Sequence, residues 1–137
     1  MKYCAIVVGV IAAFCFIGLN IFSQDAKMEN LTSVTVTKEQ LKDQKISFKF
    51  TLNIPKDLVF NDEGPWKLKL KTHEGLSFDK EELTVKDVKK DVPGFVITTR
   101  EKPSKTNGAM DYTLTSFVCA KDKSKCYREV HNGTTNW

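Results

Sequence analysis

Ile46, Phe48, Phe50, Leu52 and Ile54 alternate with Lys45, Ser47, Lys49, Thr51 and Asn53. A period of two sustained over ten residues predicts a β-strand at 45–54 with one buried face and one wet face. A helix would scatter the same apolar side chains around its whole circumference. The alternation returns in shorter stretches. Residues 33–37, S-V-T-V-T, are largely β-branched and alternate apolar with polar, which suggests a short first strand. Trp66, Leu68 and Leu70 alternate with three lysines, and Leu83, Val85 and Val88 suggest another short strand. Phe95 and Ile97 share one face of a strand over 95–100, Met110 to Val118 alternate along a long penultimate strand, and 125–131 returns beside it. Pro55, the stretch 61–65, His73-Glu74-Gly75, Pro93-Gly94 and the polar loop 101–108 supply turn signals between them.

About seven strands with a turn roughly every ten residues leave little room for helix; only 38–44 reads as a helical turn. Antiparallel strands with one polar face bury the other by packing as two sheets. The fold class is therefore all-β, an immunoglobulin-like antiparallel β-sandwich. The Cys…Trp…Cys order of antibody domains is absent, because Trp66 precedes both cysteines of this region. The tail 131–136 reads either as the end of the last strand or as a frayed terminus.

The first two dozen residues follow a different pattern. Met1-Lys2 is followed by an uncharged apolar run over 3–22, the layout of a signal peptide or of an uncleaved membrane anchor helix. The chain divides into a signal or anchor at 1–23, a polar tether at 24–31, and the sandwich with a terminal cysteine hairpin at 32–137. Under either reading the sandwich lies across a membrane, periplasmic or extracellular, and touches lipid only through 3–22 if that segment is retained.

Charge narrows the function classes. Residues 24–137 carry 20 Lys and Arg against 17 Asp and Glu. The signs are interleaved and no basic face with stacking aromatics stands out, so nucleic acid is not an expected partner. No Ser-His-Asp or paired-carboxylate constellation points to hydrolysis, and no cofactor is called for. His131 reads as an exposed residue near the terminus, and Cys119, Cys126 and His131 are too loosely spaced to argue for a metal.

The informative segment is 117–127, F-V-C-A-K-D-K-S-K-C-Y. Cys4 and Cys15 fall in the apolar leader, which leaves Cys119 and Cys126 as a pair in an oxidising compartment, where one disulfide is the simplest outcome. A hairpin sets such positions opposite each other within disulfide reach, and closing so short a loop stabilises by about 2.5 kcal/mol in the chain-entropy estimate. The pair can be a structural staple. Alternatively, the cations Lys121, Lys123, Lys125 and Arg128 around it favour thiolate chemistry.

The strand Pro65-Trp66-x-Leu68, the entry Pro93-Gly94-Phe95, the run Tyr112-x-Leu114 into Phe117-x-Cys119, and Cys126-Tyr127 together resemble the N-terminal periplasmic domain of the thiol:disulfide interchange protein DsbD and the disulfide bond corrector family. The resemblance spans about 64–129. It implies an immunoglobulin-like fold with a redox-active pair in the last hairpin. Cys119 and Cys126 would then be the exchanging thiols, with Cys119 the exposed one that forms the mixed disulfide. The partner would be another exported or membrane thiol-disulfide protein. The acidic-aromatic loop that caps the pair in that family has no clear counterpart; Phe78-Asp79 and Phe60-Asn61-Asp62-Glu63 are the stand-ins. The alternative function is a non-catalytic binding or assembly module with a structural disulfide.

Overall fold

The computed structural model describes residues 29–71 and 73–137. The expected signal or anchor and most of the tether lie outside the described residues. Eight strands form: β1 Ser33–Gln40, β2 Ile46–Asn53, β3 Leu58–Phe60, β4 Lys67–Leu70, β5 Glu82–Thr84, β6 Gly94–Thr98, β7 Ala109–Ala120 and β8 Cys126–Asn136, with one 3-10 turn at Val85–Asp87. Every pairing between them is antiparallel. The protein is an all-β antiparallel sandwich. Among the described residues no helix is long and apolar enough to cross a membrane.

One sheet has the order β1-β2-β6. In the other, β7 is the spine. β8 runs along one side of it, β3 and β4 follow each other along the opposite side, and β5 extends the sheet beyond β4. The alternation at 45–54 behaves as its period requires: Phe48, Phe50 and Leu52 are buried and Lys49 and Asn53 are exposed. They meet Trp66, Leu68, Phe95, Met110, Tyr112, Leu114 and Val118 in one core. Phe50 packs edge-on against Tyr112 at 5.0 Å between ring centroids, joining the two sheets.

One expectation changes, one strand is added and one open alternative is decided. The helical turn at 38–44 is absent. Lys38 to Gln40 complete β1, and a turn at 41–45, in which Gln44 N–H donates to Leu41 O, leads back into β2. β3 was not foreseen, since three residues are too few to show a period. The tail does not fray: β8 continues to Asn136, and Trp137 exchanges both backbone hydrogen bonds with Gly108.

Gly64 has a packing reason. A β-carbon there would sit 2.2 Å from Cγ of Phe117, so only glycine lets the β3–β4 connection lie flat on β7 beside Cys119. Asn61 N–H donates to Phe117 O and fixes the same approach.

Candidate functional site

Cys119 and Cys126 occupy directly opposed positions of β7 and β8 and form a disulfide with 3.9 Å between their Cα atoms. The next pair out carries the ladder bond Ala120 N–H to Lys125 O. Ladder bonds alternate along antiparallel strands, so 119/126 is a non-hydrogen-bonded pair, the closer of the two kinds.

The two sulfurs sit in unequal surroundings. Cys119 is 5% exposed, because β7 is an interior strand with Val59 of β3 on one side and Cys126 on the other. Cys126 is exposed at the start of β8, which has β7 as its only paired neighbour among the described strands. This reverses the expectation that Cys119 is the exposed thiol. The physical reason is strand order: a cysteine on the spine of the sheet is covered from both sides, and one on an edge strand is not.

The turn between the cysteines is tightly built. Lys123 N–H donates to Ala120 O at 2.8 Å, and Lys123 takes the left-handed backbone conformation at φ 58°. The Asp122 carboxylate accepts from Ser124 Oγ at 2.7 Å and from Ser124 N–H at 3.0 Å, and these bonds, the hydroxyl's first, hold its pKa below the usual carboxylate value. Lys121, Lys123, Lys125 and Arg128 are all exposed. Arg128 lies two residues beyond Cys126 and so on the same face of the strand, about 7 Å along it.

The two proposed cap segments separate. Phe60 pairs with Val118 beside Cys119, and Asp62 of the following loop is held by Lys90 at 2.6 Å. Phe78 is buried against Phe48 and His73. It follows β4, whose last residue pairs with Tyr112 near the far end of β7. Phe78-Asp79 is therefore remote from the cysteines, whereas 60–63 adjoins them.

His131 is not exposed. It is 8% exposed on the inward face of β8, where Tyr127, Glu129 and His131 alternate with outward residues, so it cannot join Cys126 on the outer face. Among the described residues no group of His, Cys, Asp and Glu is placed to hold a metal ion. His131 belongs to a polar cluster that the sequence reading missed. The Glu129 carboxylate, 5% exposed, accepts from Leu31 N–H at 2.5 Å, from Thr32 N–H at 3.2 Å and from the Thr32 hydroxyl. Asn30 Nδ2 donates to Val130 O at 3.0 Å and faces His131 Nδ1 at 3.2 Å, while Nε2 lies 3.1 Å from Thr32 Oγ1 and 3.4 Å from Ser116 Oγ. Burial lowers the His131 pKa, and Glu129 partly offsets this. Serine and acid both lie on the Nε2 side, and Ser116 is fully buried, so this is no nucleophilic triad. The cluster fastens 30–32 to β8. Its signal was the shared parity of Glu129 and His131 with apolar Tyr127.

A concavity of about 630 Å³ lies at the far end of the sandwich, between Lys38, Gln40, Gln44, Lys102 and Trp137, well away from the disulfide. No protein-family model, curated protein or solved structure matches the chain.

Proposed function

We propose that the protein is a thiol-disulfide exchange domain that reacts through Cys126, with Cys119 as the resolving cysteine. The observation that carries this reading is the exposure of one cysteine of a cross-strand disulfide on an open sheet edge. Thiolate attack on a disulfide is in line with the S–S bond, so access behind the attacked sulfur decides which one reacts. Approach to Cys126 comes from beyond β8, where no described strand lies; approach to Cys119 comes from the side of β3. A partner thiolate adds to Cys126 Sγ, and the S–S electron pair leaves on Cys119 Sγ, which takes up a proton. A second partner thiolate then attacks the partner's sulfur in the mixed disulfide and expels Cys126, which is protonated in turn. The pair gains two electrons and two protons, and the partner dithiol becomes a disulfide. The same steps run backwards oxidise this pair. The hairpin's resemblance to the disulfide bond corrector family supports exchange by this pair, without favouring Cys126, and the leader pattern, which would place the domain in an oxidising compartment, supports it too.

The staple reading rests on the burial of Cys119. Against it, the hairpin has ten cross-strand pairs besides the cysteines and a hydrogen-bonded turn, so its register does not depend on the disulfide. The test is to treat the oxidised protein with glutathione, quench with acid and map the adduct by mass spectrometry. Exchange predicts a mixed disulfide on Cys126 within minutes. A pair that stays intact until the protein is denatured would leave only the staple.

A further inference from the structure

We infer that the hairpin tip is a docking surface for an acidic segment of the exchange partner, a cysteine-bearing stretch of chain flanked by Asp or Glu. The inference rests on exchange at Cys126 and adds what selects the partner. The ten residues 119–128 hold Lys121, Lys123, Lys125 and Arg128 against the single carboxylate of Asp122. Their excess of three positive charges equals that of the whole chain from residue 24 onward. Elsewhere the surface signs cancel: Lys45 meets Asp43, Lys67 meets Glu82, Lys80 meets Asp87, Lys90 meets Asp62 and Lys105 meets Glu74. None of the four hairpin cations forms an ion pair among the described residues.

Two of the carboxylates near the patch are engaged. Asp122 caps Ser124 within its own turn, and Asp62 is held by Lys90. The hairpin turn also keeps a lysine at a left-handed position that favours glycine, so a cation is presented at the tip despite the backbone preference. Cys126 lies in the middle of the patch, with Lys125 before it and Arg128 two residues beyond. A nucleophile arriving over the β8 edge crosses this field, which concentrates an anionic approach and repels a cationic one.

The test compares three reductants of the oxidised, purified domain: a cysteine peptide flanked by aspartates, the same peptide flanked by lysines, and 2-mercaptoethanol. The readout is the second-order rate at low and at high salt. The inference expects the acidic peptide to react about tenfold or more faster than the basic one at low salt. That ratio should fall towards one at about 1 M salt, where the Debye length is near 3 Å. In the variant Lys121→Glu/Lys125→Glu/Arg128→Glu the ratio should invert. Using the ratio cancels any effect of the cations on the disulfide's own reactivity. Equal rates for the two peptides, with 2-mercaptoethanol still reacting at Cys126, would overturn the acidic partner and leave the exchange reading standing. No reaction with any of the three would overturn both.

Discussion

Cys126 and Cys119 differ by a single strand position across the sheet, and that difference sets their unequal exposure. The residues around them serve the same asymmetry. Gly64 lets the 61–65 loop close over the face that carries Phe117 and Cys119, since a β-carbon there would overlap the Phe117 ring at 2.2 Å. Gly64→Ala must push that ring or the loop away, a form of overpacking that costs about 1–3 kcal/mol. The expected result is a lowered Tm together with faster alkylation of Cys119 in the reduced protein. An unchanged Tm would show that the loop does not pack as described. At Lys123 the effect has the opposite sign. Its left-handed backbone disfavours a side chain, so Lys123→Gly should stabilise the hairpin by about 1 kcal/mol in denaturant titration while removing one cation from the patch.

β8 is the element in which sequence and structure differ most in what they reveal. Its outward positions carry Cys126 and Arg128, and its inward positions carry Glu129 and His131; an inward-pointing carboxylate of this kind also discourages edge-to-edge association. Glu129→Gln would place an amide where the carboxylate accepts from Leu31 N–H, Thr32 N–H and the Thr32 hydroxyl, at a cost of about 1–3 kcal/mol. Hydrogen exchange at Leu31 and Thr32 should accelerate in that variant, while exchange in β2 should not. The neutral His131 ring gives β8 a pH dependence. Its folded pKa is depressed below the ordinary value near 6.5, first by burial, with Glu129 opposing. The unfolded chain therefore binds the proton more readily. The stability contribution is complete above pH 6.5 and is lost as pH falls through the lower folded value. Denaturant midpoints measured from pH 7.5 to 4.5 should show this loss, and His131→Gln should flatten that part of the curve.

At the scale of the molecule, the sandwich was legible because strand period and turn chemistry both point to it. The alternation from Ile46 to Ile54 appears unaltered as the inner and outer faces of β2. What could not be read has physical causes. β3 is three residues long and shows no period, and its place beside Cys119 is fixed by long-range pairing with β7. The burial of Cys119 follows from strand order, which no local pattern encodes. The clamp of 30–32 on Glu129 joins residues about a hundred positions apart. Cys119 and Cys126 themselves were legible as a hairpin pair, and which of the two is buried was not.

A core drawn from both sheets and a hairpin closed by its own turn imply that the fold survives reduction. Cys119→Ala/Cys126→Ala should remain a cooperative β-domain, with a loss of about 2.5 kcal/mol or less from the missing loop closure. The most direct test of the exchange assignment is the reduction potential of the Cys119–Cys126 pair, measured by equilibrating the folded protein with a defined thiol buffer. A disulfide poised for exchange predicts a value well above about −300 mV, reached within the time of the experiment. A value below that, with slow equilibration, would contradict the exchange function and make the disulfide a staple.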